Sequence, residues 1–177
     1  KLIEGSPRAD QAGVGYLQEK TRGGLNAIGV KIRQTSLVWR NSPDNKYAIL
    51  EYTVHNPHSA ELRSFYIGVY ADWDIPDSIP TRDIVRWNGA LKTGYMLSPT
   101  FPEFGCGGLT LVSDQTVSGH RAIRNSQYIH SGYSDRVAFG FLSGGTNHAA
   151  TDSLDDWSQL LAAGPLTIPA GDSVKVA

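Results

Sequence analysis

Three carboxylates lie close together in the segment Asp72-Trp73-Asp74-Ile75-Pro76-Asp77. Alternate residues of a strand point to the same face, so Asp72 and Asp74 are predicted to project together, about 7 Å apart. A hard cation relieves the repulsion between such neighbours, and Ca²⁺ takes roughly six to eight oxygen ligands. Asp77, or Asp83 with carbonyls of the proline-rich loop, can supply further oxygens. The spacing therefore predicts a Ca²⁺ site with Asp72, Asp74 and Asp77 as its ligands.

The same acids are open to other interpretations. They can cap turns and face water at the end of a strand, without any ligand. They can form a glycosidase pair, which needs one acid of raised pKa in a cleft, or an Asp-x-Asp motif that binds a metal-nucleotide. They do not match the helical calcium-binding loop, because Pro76 falls at its fifth position and Asp77 at the sixth, which requires Gly.

Aromatic side chains suggest a second kind of binding. Tyr66 and Tyr70 fall on the predicted outer face of one strand, four residues apart. Flat rings with a polar hydroxyl suit the faces of sugars, so these two tyrosines are predicted ligand-facing residues of a carbohydrate-binding surface. The alternative is that they cover a half-buried layer of the protein itself.

Candidate nucleophiles and zinc ligands give weaker signals. Ser118 and His120 stand two apart without a third catalytic partner, and no Gly-x-Ser-x-Gly elbow occurs. Cys106 lies in a glycine turn without a flanking charge that would lower its pKa. The histidines lack the spacing of a zinc site. We expect no catalytic residue in this sequence, so the chain is predicted not to be an enzyme.

Charge and length exclude further classes. The 177 residues carry 16 Lys and Arg against 17 Asp and Glu, a net charge of -1. Such a balance gives no attraction for nucleic acid or anionic lipid, and neither is an expected partner. The longest apolar run, Val137–Leu142, is far shorter than the roughly 20 residues that span a bilayer. No membrane span is expected.

The elements that must position these residues are predicted to be short strands. The run from Leu62 to Asp74 alternates clearly, with Phe65 and Trp73 on the inner face and the tyrosines and acids on the outer face. Tyr47–Asn56 is a second such strand. Further predicted strands are 28–33, 83–87, 90–96, 109–112, 120–123, 137–142, 166–168 and 174–176.

One short helix is predicted over Ser153–Leu161, from a Ser cap, early acids and apolar residues three or four apart. With 19 Gly and nine Pro as turn residues, the fold class is predicted to be all-β, a mainly antiparallel two-sheet β-sandwich with at most one short helix. Residues 1–24 are predicted to be an irregular lead-in and 25–177 the sandwich domain. The chain begins with Lys1 and stops inside an alternating pattern, so we expect a fragment of a larger protein. The predicted core is Ile28, Val30, Ile32, Leu50, Tyr52, Val54, Phe65, Ile67, Val69, Trp73, Leu109, Leu111, Phe139 and Phe141.

Three stretches carry a resemblance to a known kind of protein: residues 47–56, residues 65–75 with the core Ala71-Asp72-Trp73-Asp74, and the closing Pro169-Ala170-Gly171-Asp172-Ser173 turn. Together they resemble a region of large secreted bacterial proteins, often subtilisin-like serine peptidases, that lies downstream of the catalytic domain. The resemblance implies a non-catalytic, peptidase-associated accessory domain, located outside the cell or on its surface. Its implied partners are the other domains of the parent chain and a protein or a glycan. The Gly-Thr-Ser-Met-Ala nucleophile segment of the peptidases does not occur here, so none of their catalytic residues is carried over.

Overall fold

The computed structural model describes residues 1–3, 6–18, 27–76 and 78–177. Most of its regular structure is strand, because β-branched and aromatic residues alternate with polar ones between turns rich in Gly and Pro. The elements in chain order are β1 (Leu2–Ile3), β2 (Gln11–Gln18), β3 (Lys31–Val38), β4 (Ala48–His55), β5 (Leu62–Asp72), β6 (Ile84–Asn88), β7 (Thr93–Leu97), β8 (Cys106–Thr110), β9 (Val117–Arg124), α1 (Asn125–Tyr128), α2 (Asp135–Ser143), β10 (Gly145–His148), β11 (Trp157–Ile168) and β12 (Ser173–Val176).

The predicted all-β, mainly antiparallel class is confirmed. The strands form three sheets, with the orders β1-β2-β3-β4-β12, β10-β9-β11-β5 and β6-β7-β8. The third sheet adds to the two that were predicted, because β6, β7 and β8 follow one another in the chain and pair only with one another among the described residues. β10 is the exception to antiparallel pairing, since it runs parallel to β9.

Two compact units divide the chain, and the first comprises residues 1–63 and 167–177. It contains the five-stranded sheet, in which β2 pairs with β3 over eight residues. The prediction of an irregular lead-in over 1–24 is wrong for residues 11–18. They form β2, which is paired with β3 along its whole length and buries Ala12. Buried Asn56 donates to the carbonyls of Ala60, Ile168 and Pro169, which joins the chain before and after the second unit.

The second unit, residues 64–166, is layered around the sheet β10-β9-β11-β5. On one face, Val85 of β6 and Met96 of β7 pack against Trp157 of β11 and form a buried cluster with Trp73. The opposite face carries α2, where the Arg121 guanidinium of β9 lies 4.9 Å from the centroid of the Phe141 ring. The central sheet is thus covered by a second sheet on one side and by a helix on the other.

The positions of helix and strand near the end of this unit differ from the prediction. Residues 137–142, predicted as a strand, lie in α2, where the Ser134 hydroxyl caps the helix by accepting the Val137 N–H. Residues 157–161, predicted as part of a helix, belong to β11 instead. The acids before β11 resemble a helix start, but Asp155 forms a β-bridge with Asp83, which fixes this stretch in an extended conformation.

The strand that presents the predicted site is confirmed. Along β5 the inner residues Phe65, Ile67 and Val69 are half-buried, whereas Tyr70 and Asp72 are exposed. Two members of the predicted core are exposed instead, and the prediction was wrong for both. Ile28 precedes β3 and is 51% exposed; Phe139 lies on the outer face of α2 and is 54% exposed.

Candidate metal site

An acidic cluster forms where β5 ends and β11 begins. Asp72 is the last residue of β5, Asp74 follows two positions later, and Asp156 directly precedes β11. One carboxylate oxygen from each of these residues lies within 4.8 Å of the others. Asp72 and Asp74 therefore come together as predicted, and Asp77, the third predicted ligand, lies outside the described residues.

The spacing of these oxygens suits a hard cation. Oxygens bound to one Ca²⁺ lie roughly 2.3–2.6 Å from the ion, so two ligands on opposite sides of it are separated by no more than about 5 Å. The 4.8 Å limit found for Asp72, Asp74 and Asp156 falls inside that range. Two members are exposed and the third is half-buried, which leaves room for water as additional ligands.

Asn125 holds two of the three carboxylates in place. It is 2% exposed, begins α1, and donates through Nδ2 to Asp72 Oδ1 at 3.1 Å and to Asp156 Oδ1 at 2.5 Å. Its own Oδ1 accepts the Ser158 hydroxyl at 2.5 Å. Because the Ser158 proton is used there, the Tyr70 hydroxyl that contacts Ser158 Oγ is the donor of that bond. Hydrogen bonds from the neutral side chains of this chain thus orient the carboxylates of Asp72 and Asp156.

Asp156 was not predicted as a site residue. Because residues 153–161 were predicted as a helix, Asp156 was not expected to lie beside the end of β5. The adjacent acids Asp155 and Asp156 are the one sequence feature that points to a further site residue. In the structure the two acids have different partners. Asp155 forms an ion pair with Arg124 at 2.9 Å, whereas Asp156 is held by the neutral amide of Asn125.

Asp83, considered as a further source of oxygen, lies behind the cluster and is not one of the three converging residues. It is 1% exposed, and burial raises its pKa to about 6, with a further rise from the charges of the three cluster acids. The Ile75 N–H donates to Asp83 Oδ2 at 3.0 Å and partly offsets that rise. Among the described residues, Asp83 Oδ1 has no hydrogen-bond partner.

The two predicted ligand-facing tyrosines have different surroundings. Tyr66 is half-buried and meets the Phe139 ring edge to face, with centroids 5.4 Å apart. Tyr70 is 39% exposed and belongs to the hydrogen-bond chain beneath the acidic cluster. Burial raises the pKa of the Tyr70 hydroxyl.

The other candidate residues do not assemble into a catalytic group. The Ser118 hydroxyl donates to the Leu142 carbonyl at 2.7 Å, whereas His120 is buried beside Gln159. Cys106 is exposed at the start of β8. In the part of the chain that the structure describes, the acidic cluster is the one group of three or more His, Cys, Asp or Glu residues that converges at metal-binding distance.

Comparisons with known protein families, with curated proteins and with solved structures find no match to this chain. Among the described residues, no helix has the length and apolar character needed to cross a bilayer. The convergence of the three carboxylates is therefore the main indication of function.

Proposed function

We propose that the chain is a non-catalytic structural and interaction module of a larger exported bacterial protein, stabilised by Ca²⁺ at Asp72, Asp74 and Asp156. The convergence of these three carboxylates within 4.8 Å carries the metal part of the proposal. The exported, peptidase-associated setting rests on the resemblance of residues 47–56 and 65–75.

The proposed ion has a structural role because of where its ligands come from. Asp72 ends β5, Asp74 follows it, and Asp156 precedes β11, which lies next to β5 in the sheet. Without a cation, the three negative charges repel one another at the junction of the two strands. A bound cation replaces that repulsion with attraction and joins the ends of both strands. Asp77 remains a proposed additional ligand.

Thermal unfolding with Ca²⁺ and with chelator tests the metal part. A ligand that binds only the native state at about 100 times its Kd stabilises it by about 2.7 kcal/mol. For a chain of this size that corresponds to a rise in Tm of roughly 5–10 °C. We expect this rise in the wild-type protein and in the control Asp114→Asn, whose exposed acid lies outside the cluster. Asp156→Asn should lose most of it. Equal midpoints with and without millimolar Ca²⁺ would refute the proposal.

Carbohydrate binding is a second candidate, favoured by the 39% exposure of Tyr70 beside Asp72. Sugar rings stack on exposed tyrosine rings, and sugar hydroxyls coordinate Ca²⁺. Affinity electrophoresis in soluble polysaccharides should then show retardation that Tyr70→Ala weakens more than Tyr66→Ala, since Tyr66 is packed against Phe139. No retardation in any polysaccharide would eliminate this candidate.

Glycoside hydrolysis is the weakest candidate. Its general acid needs a raised pKa, and Asp83 meets that requirement with a pKa of about 6. However, Asp83 is 1% exposed, so its carboxyl does not reach a bound substrate. Turnover of a glycoside that disappears when Asp72 and Asp74 are both replaced by Asn would be needed to support it.

A further inference from the structure

A histidine is buried between the two sheets of the second unit. His120 of β9 is 0% exposed, and its ring stacks on Trp87 of β6 with centroids 4.7 Å apart and planes 17° from parallel. Gln159 of β11, also 0% exposed, lies diagonally across from it in the sheet, because β11 pairs Gln159 with Ala122 and Leu161 with His120. The Gln159 amide is 3.1 Å from His120 Nε2.

One orientation of the Gln159 amide satisfies all of its neighbours. With its oxygen toward Trp73, it accepts the indole N–H at 2.7 Å, and its nitrogen donates to the Gly94 carbonyl at 3.2 Å and to His120 Nε2 at 3.1 Å. The reverse orientation places the amide nitrogen against the indole N–H, so that two donors face each other. His120 is therefore neutral in this arrangement, with Nε2 as the acceptor and the ring proton on Nδ1.

We propose that the contact between His120 and Gln159 is an acid-sensitive latch between the two sheets of the second unit. In the neutral form, the chain from Trp73 through Gln159 to His120 joins β9 and β11 to Gly94 of β7. When His120 Nε2 is protonated, its N–H points at the Gln159 amide N–H, so two donors face each other and the hydrogen bond is lost. The amide cannot rotate to accept it, because Trp73 requires the same oxygen and Gly94 requires the amide nitrogen.

The surroundings of the ring oppose a positive charge. Burial lowers the pKa of His120, and the main chain of Ala149 offsets only part of that effect. Gly94 leaves no space for the ring to move aside, since a Cβ at that position would lie 1.8 Å from His120 Nε2. Among the described residues, no charged side chain contributes to the pKa of His120, and Gly94 limits how far a protonated ring can move.

Two arginines on the neighbouring elements contact other residues. The Arg121 guanidinium of β9 lies over the Phe141 ring, and Arg86 of β6 forms an ion pair with Asp152 at 2.9 Å. No ionisable residue occurs within β11. The ionisable residues on or directly before the elements that pack against His120 are Arg121 and Arg124 on β9, Asp83 before β6 and Arg86 on β6, Lys92 before β7 and Tyr95 on β7, His148 on β10, and Asp152, Asp155 and Asp156 before β11.

The sign of the pH effect follows from proton linkage. The unfolded chain takes up a proton on His120 near the ordinary pKa of 6.5, whereas the native state does so only at lower pH. At this position the unfolded state therefore binds more protons below about pH 6.5, and the contribution of His120 to stability falls as the pH falls. One such proton increases the unfolding constant roughly tenfold per pH unit, until the native state is protonated as well.

Urea unfolding of the full chain between about pH 7.5 and about pH 5 tests the latch. His120→Gln cannot be protonated at this position, so below about pH 6.5 we expect its unfolding constant to rise less steeply with acid than that of the wild type, by roughly tenfold per pH unit. The opposite contribution of Asp83 is common to both proteins and cancels in this difference. The control His148→Gln, at an exposed position of β10, should keep the wild-type profile. The same pH profile in His120→Gln and the wild type would overturn the proposal.

Two further measurements keep the proposal testable if His120→Gln does not fold. Proton NMR of the native wild-type protein should show that the pKa of the His120 ring lies below the ordinary value of 6.5. Trp73→Phe removes the competing donor and frees the amide oxygen for a protonated ring, so its acid effect should be smaller than that of the wild type. Native titration of His120 at or above 6.5, or an undiminished acid effect in Trp73→Phe, would contradict the latch.

Discussion

The acidic cluster and the buried latch are built from the same two chain segments but treat charge in opposite ways. Asp72 and Ser158 contribute to the cluster side of the sheet, whereas their immediate neighbours Trp73 and Gln159 contribute to the latch side. The cluster is open to solvent, so charged groups gather there at modest cost and can take a cation. The His120 and Gln159 side chains of the latch are fully buried, and both are neutral. Water access, more than the type of element, determines which polar chemistry each face can hold.

The largest effect is expected from filling the space beside His120. Gly94→Ala places a Cβ 1.8 Å from His120 Nε2, which the closely packed sheets cannot accommodate without moving the ring. We expect a loss of about 3 kcal/mol in the free energy of unfolding, measured by urea denaturation.

Gly140→Ala is the matched control for that variant. Gly140 lies within α2, and a Cβ there meets nothing within 4 Å. Since Ala is a better helix former than Gly, this variant should gain about 1 kcal/mol. Equal stabilities for the two variants would show that the contact between the sheets is looser than the structure indicates.

A smaller effect is expected from removing the neutral support of the acidic cluster. Asn125→Ala deletes the donor to Asp72 and Asp156 and leaves the buried Ser158 hydroxyl without its acceptor. We expect a loss of about 2 kcal/mol at neutral pH, together with weaker stabilisation by Ca²⁺. Asn147→Ala, an exposed position in β10, should change neither quantity.

The last effect concerns Asp83, which is acidic like the cluster residues and buried like the latch residues. Its native pKa of about 6 is above the ordinary 3.8, so the native state holds a proton that the unfolded state releases. Its contribution to stability is therefore present at low pH and is lost as the pH rises through about 6, the reverse of the His120 effect.

Asp83→Asn tests this difference in sign. The neutral amide removes the cost of a buried charge, so the variant should be more stable than the wild type by roughly 1–3 kcal/mol near pH 7.5. This advantage should shrink toward about pH 4, where the wild-type carboxyl is protonated. The comparison is made by urea denaturation at both pH values. An advantage that does not depend on pH would show that Asp83 is not the titrating group.

Sequence reasoning predicted the cluster side better than the latch side. The alternation that identified β5 also placed Asp72 and Asp74 on one outer face, because period-two patterns depend only on neighbours in the chain. Asp156 reaches the same point through the pairing of β11 in the sheet, which local sequence does not encode. The latch was missed for a similar reason. His120 and Gln159 are far apart in sequence, and each alone is typical of a surface residue.

The two exchanged assignments of helix and strand have a related cause. Residues 137–142 form a mainly apolar run that fits a strand or a buried helix equally well, and the Ser134 cap decides for the helix. Residues 153–161 begin with Ser153 and several acids, as helices often do. The β-bridge between Asp83 and Asp155 and the pairing of β11 with β9 override this local preference.

Consecutive polar residues inside β11 also restrict how that strand can align. Ser158 and Gln159 are both fully buried, and each has partners on its own side of the sheet only. A slip of β11 by a single residue would turn the amide toward the carboxylates and the hydroxyl toward the indole, and would leave both without suitable partners. An apolar strand of equal length would tolerate such a slip far more easily. The polar pair therefore acts against misaligned versions of the sheet while the chain folds.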